Sequence, residues 1–158
     1  LFRSIAWSEN LTQDRCDEVG ARLVTKDEIM SQSDFLTVHL LLSDRSRGLI
    51  QAGDLARMKE SAYLINTSRG PIVDEAALIE VLQNGRIAGA GLDVFDVEPL
   101  PLDHSLRNLP NTVIIPHLGY VTVENYRNWY GGCAENIRSW LDGKTINEMA
   151  GRNPTTPG

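Results

Sequence analysis

The sequence contains little cysteine, and its two cysteines, Cys16 and Cys133, lie far apart. Neither belongs to a Cys-x-x-Cys pair or has a histidine at metal-ligand spacing. The pattern therefore argues against a disulfide framework and against a zinc site. We expect two free thiols, which indicates a reducing compartment, and no bound metal.

Basic residues are also scarce. The chain has 15 Lys and Arg against 21 Asp and Glu, giving a formal net charge of −6. General nucleic-acid binders present a basic face, so this balance argues against a nucleic-acid partner. No run approaches the ~20 apolar residues of a membrane-spanning helix, and no basic-then-apolar signal segment opens the chain. We expect a cytoplasmic protein without a membrane partner.

What the sequence does contain is an alternation of strand-like and helix-like segments. Short apolar or β-branched runs predict strands over 4–7, 22–24, 34–40, 63–66, 87–94 and 113–115. Capped amphipathic stretches predict helices over 12–19, 26–31, 50–58, 74–84 and 122–141. Strands that alternate with helices imply βαβ units, so we expect an α/β fold with a doubly wound, mainly parallel sheet.

Polar side chains stand beyond the ends of several predicted strands. Arg69 follows the strand over 63–66, and His117 follows the strand over 113–115. Asp93 and Glu98 follow the core of the strand over 87–94, and His39 lies near the end of the one over 34–40. Ligands of doubly wound sheets bind beyond the carboxyl ends of the strands, so we expect these side chains at one edge.

An arginine, a carboxylate and a histidine at one edge make a coherent chemical set. A histidine passes a proton near neutral pH, and a neighbouring carboxylate orients it and favours its charged form. An arginine binds a substrate carboxylate through two parallel hydrogen bonds. Together they suit hydride transfer between a nicotinamide and a 2-hydroxy or 2-keto acid. Taken singly, Arg69 could be a surface residue and His117 a structural histidine.

Three long motifs occur in order. They read Asn-Thr-Ser-Arg-Gly-Pro-Ile-Val-Asp at 66–74, Gly-Ala-Gly-Leu-Asp-Val-Phe at 89–95 with Glu-Pro-Leu at 98–100, and Pro-His-Leu-Gly at 116–119. With these motifs the chain resembles the D-isomer-specific 2-hydroxyacid dehydrogenases from about Ile5 to Leu141. Several long motifs in order are far more specific than one short pattern. The resemblance implies a Rossmann-like fold and an NAD-dependent oxidoreductase.

The resemblance also implies catalytic roles for three residues. Arg69 would bind the substrate carboxylate and help polarise its carbonyl, His117 would be the general acid/base, and Glu98 would hydrogen-bond His117. During reduction, the charged imidazole would donate a proton to the keto oxygen while a hydride reaches C2. General acid–base help of this kind is typically worth ~10²–10⁴-fold in rate.

A larger set of residues is expected to contact the cofactor by the same resemblance. Asp93 would hydrogen-bond the nicotinamide carboxamide, and Gly119 would lie close to the ring. The backbone at His39 and Thr67 would line the nicotinamide half. The full expected set is Ser8, His39, Thr67, Arg69, Asp93, His117 and Gly119.

The sequence departs from the family pattern in its phosphate-binding loop. No Gly-x-Gly-x-x-Gly occurs among the 158 residues, so the Rossmann-like sheet is expected to be incomplete, lacking its first strand and the loop that holds pyrophosphate. The family's substrate domain has no counterpart either. We therefore expect the isolated chain not to turn over substrate.

The second departure concerns cofactor choice. Ser8, with Glu9 next to it, stands where NAD-preferring members carry a ribose-binding acid. Arg3 and Arg15 are taken as the only nearby basic residues, and neither has the spacing of a 2′-phosphate ligand. Glu9 would repel such a phosphate if it pointed inward. NAD is the expected cofactor, and NADP stays possible.

The expected organisation has three segments. A partial dinucleotide-binding domain spans 1–120, a long helix spans 121–143, and a tail spans 144–158. In the family the long helix packs back toward the substrate domain. Family members are usually homodimers, so a homodimer is expected here, and the aromatic stretch 126–130 could contribute to its contacts.

Two other functions stay open at this point. A dinucleotide-sensing, protein-binding module of the corepressor type keeps much of the same triad, and a structural remnant would bind no ligand. Among the other polar residues, Asp74 and Glu75 are interpreted as helix-capping and first-turn residues. His104 is interpreted as a surface or capping residue without a role in the site.

Overall fold

A computed structural model of the chain describes residues 3–144 and 146–147. Two compact units are present, Leu1–Gly119 and Tyr120–Gly158. The expected division into a dinucleotide-binding domain over 1–120, a long helix over 121–143 and a tail over 144–158 stays a prediction. Of the tail expected over 144–158, only residues 144, 146 and 147 are described, and the rest lies outside the described residues.

Six strands form the sheets of the first unit within its described residues, 3–119. β1 (Ile5–Ala6) pairs with β2 (Arg22–Leu23) in a two-stranded sheet. A second sheet contains, in spatial order, β3 (Phe35–Val38), β4 (Tyr63–Asn66), β5 (Gly89–Leu92) and β6 (Thr112–Ile114). All these pairings are parallel, which confirms the predicted α/β class.

Five α-helices and two 3₁₀ turns connect or follow these strands in the described residues. The helices are α1 (Gln13–Asp17), α2 (Lys26–Gln32), α3 (Ala52–Leu55), α4 (Glu75–Gln83) and α5 (Val123–Leu141). The 3₁₀ turns span Gly70–Ile72 and Ser105–Asn108, and neither was predicted. Thr12 occupies the N-cap of α1, but its side chain makes no capping hydrogen bond there.

The largest difference from the prediction is α3, a single turn where a helix over 50–58 was expected. Ile50 forms a parallel β-bridge with Val73, and the Asp74 amide donates to the Ile50 carbonyl at 2.8 Å. Gly53 weakens helix propagation, since glycine costs roughly 1 kcal/mol relative to alanine inside a helix. The strands expected over 34–40 and 87–94 are also shorter at both ends.

The hydrophobic core lies against the four-stranded sheet. Alternate residues of β3 and β4 contribute to it, because successive side chains of a strand point to opposite faces of the sheet. Leu36, Leu64 and Leu92 are 5%, 0% and 3% exposed, and α4 adds Leu78 and Leu82. Full burial of each such side chain contributes roughly 1.5–3 kcal/mol to the stability of the fold. The strand ends that carry polar residues therefore continue from a well-packed core.

The two sheets both border a cleft of about 340 Å³. Residues of β1 and of the segment after it line the cleft together with residues of β3 and the segment that follows β3. Among the described residues, β1 pairs with β2 and β3 pairs with β4, with no ladder between β1 and β3. The parallel strands in the described part of the first unit therefore form two separate sheets.

The second unit is described through α5. The Thr122 side chain accepts a hydrogen bond from the Asn125 amide at 3.2 Å and so caps this helix. The ring of Tyr126 stacks on that of Tyr130, with centroids 5.7 Å apart. Within residues 3–144 and 146–147, no helix has both the length and the apolar character needed to cross a membrane.

Candidate active site

The turn that carries Arg69 is held by the last residue of β4. Asn66 is 2% exposed; its Oδ1 accepts a hydrogen bond from the Ser68 amide at 3.1 Å, and its Nδ2 donates to the Arg69 carbonyl at 3.0 Å. The Ser68 hydroxyl donates to the carbonyl of Leu40, beyond the end of β3. The turn is therefore fixed to two neighbouring strand ends.

The backbone after Arg69 packs directly on the loop that follows β5. A Cβ at Gly70 would lie 2.1 Å from the carbonyl carbon of Phe95 and 2.2 Å from its oxygen, so a side chain does not fit there. The same loop carries Glu98, whose Oε1 accepts a hydrogen bond from the Phe95 amide at 3.0 Å. The Arg69 turn and the Glu98 loop are thus in backbone contact.

Glu98 and His117 form a hydrogen-bonded pair. The Oε2 atom of Glu98 lies 2.6 Å from Nδ1 of His117, and the two side chains are 33% and 36% exposed. Burial acts to raise the pKa of Glu98, but hydrogen bonds from His117 and the Phe95 amide, with the charges of His117 and Arg69, outweigh it. The pKa of Glu98 therefore lies below its ordinary value.

The protonation of this pair follows from that direction. An ionised carboxylate only accepts hydrogen bonds, so Nδ1 of His117 must carry the proton that it shares with Glu98. In the neutral imidazole the lone pair then resides on Nε2. The carboxylate thus selects one tautomer of the ring and holds its orientation.

Arg69 belongs to the same electrostatic environment. Its charge is one of the causes that lower the pKa of Glu98. The Arg69 side chain is exposed, and its Nη1 donates to the Ser68 carbonyl at 2.6 Å. A guanidinium has five N–H donors, so this contact leaves it the capacity to bind a carboxylate.

Asp93 holds the segment that presents His117. Its carboxyl group is buried, with Oδ1 accepting from the Leu118 amide at 2.7 Å and Oδ2 accepting from the Gly119 amide at 2.8 Å. His117 has φ +56°, a left-handed conformation that residues other than glycine adopt rarely. The two bonds to the amides that follow stabilise this turn, and a Cβ at Gly119 would approach Asp93 Oδ2 to 2.7 Å.

A concave surface adjoins the Glu98–His117 pair. The cleft has a volume of about 520 Å³, and its lining combines those two side chains and Arg107 with apolar ones that include Phe95 and Ile114. Apolar clefts with few polar groups are the usual form of small-molecule sites. Within the described part of the chain, no three His, Cys, Asp or Glu side chains group as a metal site would require.

Comparison with known proteins agrees with this geometry. The family model described as the D-isomer specific 2-hydroxyacid dehydrogenase, NAD binding domain, matches residues 2–119. The chain belongs to this family. The confirmed resemblance covers all three motifs quoted above, including Arg69, Glu98 and His117.

Individual relatives give the same assignment. The chain is 46% identical over 129 residues to glyoxylate/hydroxypyruvate reductase B of Serratia proteamaculans, covering 82% of this chain and 39% of that protein. A phosphoglycerate oxidoreductase from Vibrio cholerae has a TM-score of 0.79 and 33% identity, covering 88% of this chain and 45% of that one. The NAD-complexed D-isomer specific 2-hydroxyacid dehydrogenase of Lactobacillus delbrueckii has a TM-score of 0.77 and 30% identity, covering 94% and 48%.

The chain therefore spans about two fifths of the length of the Serratia reductase. It also spans less than half of each of these two solved dehydrogenase chains. The shared part is the one that the family model describes as NAD-binding.

The remaining predicted contact residues lie in two groups. Thr67 and Gly119 are exposed near Arg69 and Asp93, respectively. Ser8 and His39 instead both line the 340 Å³ cleft between the two sheets. The Nε2 atom of His39 lies 2.9 Å from the Thr37 hydroxyl.

One expectation about the Ser8 region was wrong. The sequence places only Arg3 and Arg15 near Ser8 among the basic residues, but in the fold Arg45 Nη1 lies 3.4 Å from Glu9 Oε2. Arg45 is 36 positions from Glu9 along the chain, so local spacing could not reveal the contact. The acid beside Ser8 therefore has a basic partner from the loop after β3.

Sequence reasoning assigned no role to Asn66, Ser68 or Gly70, although all three lie in a quoted motif. Asn66 is a polar residue at the last position of a buried strand, and that signal was available. Gly70 could be found only from the three-dimensional approach of two loops.

Proposed function

We propose that the chain is the nicotinamide-binding part of an NAD-dependent D-2-hydroxyacid dehydrogenase. The observation that carries the proposal is the 2.6 Å contact between Glu98 and His117, together with Arg69, whose charge reaches Glu98. This set can bind an acid, hold a proton and transfer it. The names of the relatives reported above give no support to the corepressor-type alternative.

His117 is the proposed general acid/base. Glu98 holds the proton at Nδ1, so Nε2 is the atom that exchanges a proton with substrate. In reduction, charged His117 donates its Nε2 proton to the keto oxygen and becomes neutral, while the C=O double bond becomes a C–O single bond. In oxidation, neutral His117 accepts the hydroxyl proton at the same atom. A nicotinamide bound beside it supplies or accepts the hydride at C2.

Arg69 is the proposed ligand of the substrate carboxylate. Its exposed guanidinium stands on a turn fixed by the buried Asn66, and paired N–H donors match a carboxylate in geometry and charge. Binding the acid there positions the neighbouring carbonyl for His117. Positioning of this kind accounts for a large share of catalysis by bound reactants.

The described residues fit the two ends of a dinucleotide. At the nicotinamide end, the Asp93 oxygens can each accept a further hydrogen bond from a carboxamide, beside the exposed Thr67 and Gly119. At the other end, Ser8 borders a cleft that would take the adenosine half, and His39, which the resemblance assigned to the nicotinamide half, borders the same cleft. A glycine-rich loop for the pyrophosphate does not occur among the 158 residues, so we propose that the chain alone does not turn over.

NAD is the proposed cofactor in preference to NADP. Glu9, beside Ser8, is paired with Arg45 at 3.4 Å. Glu9 follows Ser8 directly, so a 2′-phosphate bound at Ser8 would come close to a negative charge, and like charges repel. A ribose 2′-hydroxyl can instead donate a hydrogen bond to a carboxylate.

The proposed substrates are short 2-keto acids such as glyoxylate and hydroxypyruvate, as in the name of the Serratia relative.

We further propose a homodimer in the cytoplasm. The aromatic side chains of α5, among them Tyr126, Trp129 and Tyr130, are partly exposed and suited to protein contacts. Two free thiols, Cys16 and Cys133, are compatible with a reducing compartment.

The test is turnover of a panel of 2-keto acids with NADH. It is measured on this chain and on a longer protein that contains it together with a glycine-rich loop. We expect turnover in the longer protein, strong losses in Arg69→Ala and His117→Ala, and none in the chain alone. An Arg86→Ala variant, which removes an exposed arginine whose Nη1 lies 4.0 Å from Glu60 Oε1 and which lines neither cleft, is the matched control. Equal losses in all three variants would contradict the assignment.

A further inference from the structure

Glu75 joins three segments of the first unit. It is the first residue of α4, and its side chain is only 18% exposed. Its Oε1 lies 3.2 Å from Nε2 of His104, and its Oε2 accepts a hydrogen bond from the Asp96 amide at 3.2 Å. Both partners lie outside the helix that Glu75 begins.

The ring of His104 is oriented by a second contact. Its Nδ1 accepts a hydrogen bond from the Leu106 amide at 3.4 Å, at the start of the 3₁₀ turn Ser105–Asn108. In the neutral ring the proton must then reside on Nε2, from which it is donated to Glu75. His104 therefore caps the turn, as expected, and also holds one oxygen of Glu75.

The Asp96 amide connects Glu75 to the loop that carries Glu98. The preceding residue, Phe95, donates its own amide proton to Glu98. The same backbone packs on Gly70 from the opposite segment, since a Cβ at Gly70 would lie 2.6 Å from the Asp96 nitrogen. The backbone of Phe95 and Asp96 is thus held by Gly70 through contact and by Glu75 through a hydrogen bond.

We propose that Glu75, oriented by His104, is a positioning residue that fixes the Phe95–Glu98 loop and so places the Glu98 carboxylate on His117. The inference rests on the proposed function, because it concerns the placement of the proposed general acid/base. Glu75 acts through Asp96 and Glu98 and does not contact the substrate.

The charge of Glu75 also acts on the Asp96 side chain. Burial raises the pKa of Asp96, and the negative charges of Glu75 and Asp74 raise it further, whereas Arg47 and His104 act in the opposite direction. A simpler explanation is that Glu75 stabilises α4 as an acidic residue in its first turn, where its negative charge interacts favourably with the helix dipole. That explanation requires only a negative charge at the position and does not depend on the reach of the side chain.

The two explanations are separated by amide hydrogen exchange measured by NMR on the whole chain. Glu75→Ala removes both charge and reach, Glu75→Asp keeps the charge but shortens the side chain, and Glu75→Gln keeps the reach and one acceptor oxygen. Glu80→Ala, at an exposed position of α4, is the matched control. The signal of the His117 Nδ1 proton is recorded in the same samples, since the chain has only three histidines.

We expect the Asp96 and Phe95 amides to exchange about tenfold faster in Glu75→Ala and Glu75→Asp, as loss of a hydrogen bond to a charged group implies. The His117 Nδ1 proton should also exchange faster in both variants. Glu75→Gln should restore much of the protection, and Glu80→Ala should change nothing at these positions.

Two results would overturn the inference. In the first, the Asp96 amide is as well protected in Glu75→Asp as in the unmodified chain. In the second, the Asp96 amide loses protection while exchange of the Phe95 amide and of the His117 Nδ1 proton does not change. If Glu75→Ala does not fold, His104→Asn provides the second variant. Asparagine can cap the turn but is too short to hold Glu75, and we expect a smaller loss at the same two amides. Exchange is measured without substrate or cofactor, so its outcome is independent of the turnover test of the proposed function.

Discussion

The Nδ1 atom of His117 lies 2.6 Å from Oε2 of Glu98, although the two residues are 19 positions apart in the chain. Each is supported by a separate set of backbone contacts. The Phe95 amide holds Glu98, and Asp93 holds the amides directly after His117. The distance between the two side chains therefore depends on the packing of two loops.

A first prediction concerns the pH dependence of stability. The pKa of Glu98 in the folded chain lies below its ordinary value of 4.5, so the unfolded state binds more protons around that pH and stability rises as pH increases. The contribution is complete above pH 4.5 and is lost as pH falls through the lower, folded-state pKa. Urea unfolding of the chain and of Glu98→Gln should therefore differ most near pH 7, and the difference should shrink below pH 4.5. A difference that does not vary with pH would refute this.

A second prediction concerns the contact between the Arg69 turn and the Glu98 loop. Gly70→Ala would place a Cβ 2.1 Å from the Phe95 carbonyl carbon, and the backbone would have to move. We expect the free energy of unfolding to fall by roughly 1–3 kcal/mol, as overpacking commonly costs. In the control Gly53→Ala, the new Cβ would have its nearest neighbour, Arg57 Nη1, at 3.7 Å. Equal stability of the two variants would show that the loops are not in contact.

A third prediction concerns the residue that holds the Arg69 turn. Asn66→Ala removes the partners of the Ser68 amide and the Arg69 carbonyl. Both hydrogen bonds are partly buried, and leaving such groups without a partner costs up to about 1–3 kcal/mol of stability. In a protein that turns over, the same change should raise KM more than it lowers kcat, because it displaces the proposed carboxylate ligand. The exposed Asn10, changed to alanine, is the control, and an equally small effect at both positions would refute the role of Asn66.

Much of the fold could be predicted from local sequence because its causes are local. Asp74 was expected to begin a helix, and its side chain accepts a hydrogen bond from the Ala77 amide at 3.0 Å. Apolar runs such as the one that forms β5 predicted buried parallel strands. The helix expected over 50–58 failed because Ile50 pairs with Val73 instead, and such a distant partner leaves no trace in helical periodicity.

The residues of the candidate site also differ in whether local sequence reveals them. Arg69, Glu98 and His117 could be proposed as site residues because motif order and strand ends point to them. Gly70, Glu75 and Arg45 could not, since their significance comes from contacts with segments distant in the chain. The motifs indicate the type of chemistry. The residues that hold the proposed catalytic groups in place can be recognised only in the folded molecule.

A fourth prediction concerns cofactor preference. Replacing Glu9 by serine removes the carboxylate proposed to repel a 2′-phosphate and leaves Arg45 without its 3.4 Å partner. We expect binding of 2′,5′-ADP to strengthen relative to 5′-AMP by about tenfold, the equivalent of ~1.4 kcal/mol. NMR titration of the chain with each nucleotide measures the ratio. The control is Glu18→Ser, an exposed acid after α1. No change in the ratio for Glu9→Ser would contradict the proposed preference for NAD.

The most direct measurement is a double-mutant cycle on turnover by a longer protein that contains this chain, with Glu98→Gln, His117→Ala and both changes together. If Glu98 acts through His117, the double variant is no slower than His117→Ala alone, because groups that act as a unit are not additive. We predict a loss of about 10²–10⁴ in kcat for His117→Ala and no further loss on adding Glu98→Gln. Losses that multiply in the double variant would contradict the account.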